Sequence, residues 1–163
     1  MGVFKVSKVV NSDSLKEAEA ILQQIYAEEP KHWPAGQPSP SCFDAGCYLV
    51  REKQSNVPVG FLGFQIRHEY RPAFSKAAGI GSRRIKVGYY SVGILKKFRK
   101  NGFAKEALTK LLAIKSADVD QVRALIVETN KPSIALADSL GVEKWLKRAA
   151  MDLPGTLLMP NLQ

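Results

Sequence analysis

The stretch Leu95-Lys96-Lys97-Phe98-Arg99-Lys100-Asn101-Gly102-Phe103-Ala104 decides the fold, because an apolar run ends there in a basic loop and small residues stand where a helix begins. A helix N-terminus offers unpaired backbone N–H groups and the positive end of its dipole, and residues without bulky side chains let an anion reach them. The segment is suited to holding an anion. Around it the chain reads as a β-α-β unit. Ile85 to Leu95 is a strand, Gly102 to Lys115 places Phe103, Ala107, Leu108, Leu111 and Leu112 at helical spacing, and Val122 to Val127 is a short apolar strand. The spacing Arg99-x-x-Gly102-x-Ala104 is neither the dinucleotide G-x-G-x-x-G nor the G-x-x-x-x-G-K-[ST] of nucleotide triphosphatases.

Outward from this unit, Phe4 to Val10 is a Val-rich strand before the polar stop Asn11-Ser12-Asp13. Ser14 with Glu17 forms a capping-box pattern, and Leu15, Ala18, Leu22, Ile25 and Tyr26 follow at helical spacing up to Pro30. Four prolines and a glycine make Pro30 to Pro40 a loop, which Trp33 could anchor. Cys47 to Arg51 and Val59 to Arg67 read as strands joined by the hairpin connector Glu52 to Pro58. Residues 71 to 84, with Pro72, two glycines and four basic side chains, read as a basic loop. Ser133 to Leu140 is a short helix stopped at Gly141, and Ser133 is the expected cap. Val142 to Asp152 is ambiguous between helix and strand, and Thr156 to Met159 is a final strand.

The chain has 163 residues, 45% hydrophobic and 24% charged, which fits one globular domain over residues 1–163. No run approaches the roughly 18 apolar residues of a membrane span, and Lys5 and Lys8 interrupt the opening apolar stretch, so neither a membrane anchor nor a signal peptide is expected. Two cysteines, Cys42 and Cys47, fit neither a disulfide scaffold nor a four-ligand zinc site, and they read as buried structural thiols of a reduced, cytoplasmic protein. No metal site is expected. The net charge of +9 is localised: residues 61–110 hold 12 Lys and Arg against Glu69 and Glu106, leaving 12 against 13 elsewhere. That region calls for an anionic partner, which charge alone leaves open among nucleic acid, an acidic protein and a phosphorylated cofactor.

The element order and the Arg99-x-x-Gly102-x-Ala104 loop resemble the GNAT superfamily of acyl-CoA-dependent N-acyltransferases, whose pyrophosphate pattern is Arg or Gln, two residues, Gly, one residue, then Gly or Ala. A second family motif, a strand followed by Asn and a short helix ending in a Leu-Gly-aromatic turn, resembles Val127-Glu128-Thr129-Asn130 and then Leu136 to Val142. The resemblance implies an α+β fold: a mixed, mostly antiparallel central sheet with helices on both faces and two splayed parallel central strands. It also implies acetyl-CoA or another short acyl-CoA as cofactor. Leu95, Lys97, Arg99, Lys100, Asn101, Gly102, Phe103, Ala104 and Lys105 are the implied contacts on one side, with Asn130 on the other. Lys96, Lys97 and Arg99 would supply charge near the pyrophosphate, and pantetheine amides would pair with the splayed strands like an added strand.

Amine acylation by direct transfer needs a base for the ammonium proton and usually an acid for the leaving thiolate. The strand carboxylate of many relatives would fall near Lys86 to Gly88, where no acid occurs, and the family's common tyrosine would fall at Ala137. Tyr90 is a candidate donor to the sulfur or the oxyanion, with a core tyrosine as the plain alternative. Glu128, beside Asn130, is a candidate base, although a strand-end glutamate is more often a solvated charge. His68 and Glu69 are weaker candidates at a strand end. The expected activity is transfer of an acetyl or short acyl group from acyl-CoA to a primary amine. Its acceptor would bind between the Pro30 to Pro40 loop and the basic 71 to 84 loop, which would disfavour polycationic amines. The alternative is a catalytically degenerate module binding nucleic acid, a ribonucleoprotein or an assembly partner through the basic 61–110 region.

Overall fold

The computed structural model describes residues 3–33, 36–75 and 79–147. The strands are β1 (Phe4–Lys8), β2 (Cys47–Glu52), β3 (Pro58–Ser75), β4 (Gly79–Ile94), β5 (Gln121–Val127) and β6 (Glu143–Lys147). The helices are α1 (Ser12–Glu28), α2 (Phe103–Lys115) and α3 (Lys131–Ser139). The sheet order follows the chain, β1 to β6, with antiparallel pairing through β4 and parallel pairing from β4 to β5 and from β5 to β6. The sheet is thus mixed, with more antiparallel than parallel pairs.

Helices cover both faces, which is why Cys47-Tyr48-Leu49-Val50 reads as a continuous apolar run rather than an alternating one. On one face α1 buries Ala18, Ile21, Leu22 and Ile25, at helical spacing, against Leu49, Phe61 and Phe43. On the other, Phe103, Ala107, Leu108 and Leu111 of α2 pack with Phe4, Val50, Leu62 and Phe64, and Ala137 of α3 joins them. Phe4 and Phe103 meet edge to face, 5.0 Å between ring centroids.

Three local expectations are corrected. The cap of α1 is Asn11, not Ser14: the Asn11 side chain accepts from the Ser14 amide at 2.9 Å, and the Ser14 hydroxyl accepts from the Asn11 amide at 3.1 Å. Ser14 is the fourth residue of this box, not its first. At α3 the cap is Asn130, whose Oδ1 accepts from the Ser133 amide at 3.3 Å. Residues 71–75 and 79–84 are strand rather than loop, with Arg71 opposite Arg83 and Pro72 opposite Ser82. Pairing of β3 with β2 ends at Gly63, so Pro72 lies where one edge of β3 has no β2 partner and a missing N–H costs no ladder bond. The ambiguous stretch after Gly141 is strand over Glu143–Lys147; residues 148–152 and the expected Thr156 to Met159 strand lie outside the described residues.

At Gly60 a Cβ would stand 2.3 Å from the Gly93 carbonyl oxygen, a backbone atom that cannot rotate away. Gly60→Ala is therefore expected to destabilise the fold by about 1–3 kcal/mol, a fall in Tm of about 2–12 °C, read by thermal unfolding against the parent.

Candidate active site

Between β4 and α2 the chain turns through Lys96–Phe98 and then reverses at Lys100 (φ 65°) and Gly102 (φ 76°). Both lie in the left-handed region, at a cost to Lys100 that Gly102 does not bear. No side chain caps α2, and its first backbone bond runs from Glu106 N–H to Gly102 C=O at 3.0 Å. The amides at the start of the helix thus have no intrahelical partner. They open onto a cleft of about 500 Å³ lined by Lys100, Gly102, Phe103, Ala104 and Lys105 on one side and by Asn130, Ser133 and Leu136 on the other.

Of the basic side chains before this turn, Lys96 and Arg99 are engaged with the end of α1. Arg99 donates from Nε to the Ile94 carbonyl at 2.7 Å and from Nη1 to Glu29 Oε2 at 2.9 Å. The Lys96 amide donates to Glu28 Oε2 at 2.9 Å, and its Nζ lies 3.7 Å from Glu29 Oε1. These charges clamp the loop to the C-terminal end of α1. At Glu29, burial raises the carboxyl pKa, but the hydrogen bond and charge of Arg99, with His32 and Lys96, outweigh it and hold the group below the ordinary carboxylate value. Lys97 lies over the Phe98 ring, Leu95 is buried under α1, and Asn101 donates weakly to the Phe98 carbonyl; none of the three lines the cleft. Arg99, Lys100, Gly102, Phe103, Ala104, Lys105 and Asn130 do.

Parallel pairing of β4 with β5 covers only Val87–Tyr90 against Gln121–Ala124, and beyond it the strands part. The direction of the freed backbone groups follows from strand alternation. Lys86 exchanges both backbone groups with Asp120, and the Ile94 carbonyl goes to Arg99, so even-numbered residues of β4 turn toward β5. Val92 N–H and C=O therefore face the gap. Val92 also lines a second cavity of about 300 Å³, which shares His32, Trp33, Asn130 and Ser133 with the first. Trp33 is held by packing on Phe61, 5.8 Å between centroids, which fixes the loop as a common wall.

Tyr90 lines this second cavity, and its hydroxyl is buried with no hydrogen-bond partner among the described residues. Burial pushes its phenol up to about 12, so it remains a donor at any physiological pH. Glu128 is exposed on the turn after β5 and lines neither cavity. Glu69 is engaged elsewhere: Tyr89 donates to it at 2.5 Å, and Arg123, only 1% exposed, donates to it at 2.8 Å. His68 is exposed and lines a separate hollow with Arg84, Lys86 and Asp120. Cys47 is a buried thiol, raised by burial to about 11, whereas Cys42, expected to be buried, is exposed at the second cavity. Among the described residues no group of three or more His, Cys, Asp or Glu side chains could hold a metal ion.

The sequence model of the acetyltransferase (GNAT) domain matches residues 5–143. The chain belongs to the GNAT acetyltransferase family. Solved structures similar to this GNAT chain include the aminoglycoside N-acetyltransferase AAC(6')-Iy in complex with CoA, at 18% identity over 86% of this chain and 88% of that one, TM-score 0.59. An N-acetyltransferase from Staphylococcus aureus Mu50 is similar at 15% identity over 85% and 82%, TM-score 0.59. An acetyltransferase from Trypanosoma brucei is similar at 15% identity over 92% and 99%, TM-score 0.54. No curated protein sequence matches the chain. The GNAT fold is thus shown with its mixed sheet, and no helix among the described residues is long and apolar enough to cross a membrane.

Sequence reading of this GNAT domain missed His32, Ser133 and Arg67 as cavity walls. Ser133 was visible as the third residue after Asn130. His32 gave no signal, since its role depends on where a proline-rich loop lands.

The Tyr90 environment sets a pH dependence. The folded phenol ionises near 12 and an unfolded one near 10, so the stability that the protonated group retains is complete below pH 10 and is lost as the pH rises through 12. Tyr90→Phe is expected to flatten the fall in Tm across that window. At pH 7 it should be at least as stable as the parent, because it removes a buried hydroxyl with no partner. Thermal melts of both proteins from pH 7 to 12 check this.

Proposed function

We propose that this GNAT domain, taken as one unit over residues 1–163, transfers an acetyl or another short acyl group from its coenzyme A thioester to a primary amine by direct attack. The observation that carries the reading is the uncapped start of α2 opening onto a cleft that joins a second, smaller cavity at the β4–β5 gap. Backbone N–H groups at Gly102 to Lys105 would hold the pyrophosphate, with Lys100 and Lys105 beside them. Val92 would pair with a pantetheine amide as if with an added strand, and Asn130, although its Oδ1 caps α3, stands where both cavities meet. The thioester supplies an activated acyl group when bound. Tyr90 would donate to the oxygen or sulfur on which negative charge develops.

The second cavity would take the acceptor. Its described walls include Arg67, which lies over the Tyr89 ring at 5.4 Å, and no carboxylate. Such walls disfavour a polycation and favour an amine that also bears a carboxylate or phosphate.

Binding and turnover test the reading separately. At about 100 times Kd, acetyl-CoA is expected to stabilise the protein by roughly 2.7 kcal/mol, a rise in Tm of about 5–11 °C. Ala104→Glu suits the helix dipole yet repels a phosphate, so it should remain folded and lose that shift. In a thiol-release assay Tyr90→Phe should lower kcat about 100-fold to 1,000-fold while the acetyl-CoA shift persists, and polyamines should be poorer acceptors than amines carrying an anion. Absence of any shift in the parent, with salt-dependent nucleic-acid binding, would favour a non-catalytic module acting through the basic 61–110 region instead.

A further inference from the structure

The acceptor amine arrives as an ammonium ion and must lose a proton before it can attack, and the family's usual strand carboxylate has no counterpart here. We infer that His32 is the general base of this site and that Glu29 orients it. The inference rests on the acyltransfer reading above.

His32 closes the short turn Pro30–His32 that follows α1, and it is one of the few residues lining both the cofactor cleft and the acceptor cavity. Its side chain is 19% exposed, and Nδ1 lies 3.0 Å from Glu29 Oε2. A carboxylate this close to Nδ1 favours the tautomer that carries its proton there and leaves Nε2 with its lone pair. Trp33, packed on Phe61, holds the next residue in place, so the ring sits on a fixed wall.

The other titratable groups around the two cavities do not fill the role. Arg67, Arg99, Lys100 and Lys105 arrive protonated and have nothing to accept with. The Tyr90 phenol is a donor, and the Tyr89 hydroxyl donates to Glu69. Glu29 is occupied by Arg99 and Lys96 as well as by His32. Cys42 lines the acceptor cavity away from the shared wall, where its sulfur meets the Ser39 hydroxyl at 3.5 Å.

The proton balance is complete without a further reactant. Nε2 takes one proton from the ammonium, and the free amine forms the C–N bond to the acyl carbon. When the C–S bond breaks, the nitrogen's surplus proton ends on the departing sulfur, and His32 returns its own proton to solvent. Glu29 exchanges no proton; it is a positioning residue.

Two measurements test this, one of them independent of turnover. The chain has only two histidines, His32 and His68, so nitrogen-15 imidazole spectra of the parent and of His68→Gln assign both rings. His32 is expected as the Nδ1–H tautomer in the neutral form, and Glu29→Gln is expected to disturb it; a His32 ring carrying its proton on Nε2 would overturn the assignment. In the turnover assay, parental kcat/KM should fall at acid pH as the imidazole takes up a proton. His32→Gln should lose about 100-fold to 10,000-fold in kcat/KM and lose that acidic limb, while keeping the acetyl-CoA thermal shift. A His32→Gln enzyme with parental kcat/KM and an unchanged limb would overturn the base alone. A parent that transfers to no primary amine would overturn the acyltransfer reading and the base with it.

Discussion

The pairing of β4 with β5 stops after Tyr90 and Ala124, and the candidate site depends on that stop. A continuous parallel ladder would spend the Val92 backbone groups on β5 and leave no gap for the two cavities to share. Farther along, at the end of β4, Arg99 rather than a strand takes the Ile94 carbonyl. One side chain therefore ends β4, satisfies a carbonyl that would otherwise be orphaned, and shapes the turn that presents the start of α2. Fold and site are set by the same few bonds.

Charge is arranged less simply than the composition suggests. An excess of basic residues beside an anion-binding turn invites the idea that each of them meets the anion. Here Arg99 and Lys96 meet Glu28 and Glu29, so their charge is largely neutralised before a ligand arrives. What remains at the cleft is the uncapped helix start with Lys100 and Lys105. Backbone amides are fixed in direction and need no reorganisation on binding, whereas flexible lysines must be ordered. Such a division puts precision in the backbone and leaves the arginine to hold the loop in shape.

The sequence made some of this legible. The apolar faces of α1 and α2 follow from side-chain spacing, and the anion-binding turn follows from Gly102 and Ala104 beside an apolar strand. The long β3–β4 hairpin did not follow, because Pro72 and nearby glycines are loop signals unless one knows that β2 ends opposite Gly63 and leaves β3 an edge. The cap of α1 was misplaced by three residues because Asn11, Ser12, Asp13 and Ser14 are all cap formers, and only geometry selects among them. Glu128 looked chemical from its neighbours in sequence, yet the turn after β5 carries it away from both cavities. His32 looked unremarkable because the partner that gives it a role, and the wall it forms, are made by elements brought together only in three dimensions.

Glu29 is the point at which these features meet. Its Oε2 lies 3.0 Å from His32 Nδ1 and 2.9 Å from Arg99 Nη1, so one oxygen ties the loop bordering the acceptor cavity to the turn bordering the cofactor cleft. Such sharing has a physical consequence. A displacement of Arg99 would leave Glu29 with less opposing charge and make it a stronger acceptor for the imidazole, and a displacement of the loop would act on Arg99 in the reverse direction. In the proposed reaction Glu29 and His32 form the pair that handles the proton, since Lys86 to Gly88 carry no carboxylate. That pair lies on a loop whose proline content reduces the entropy lost on ordering it.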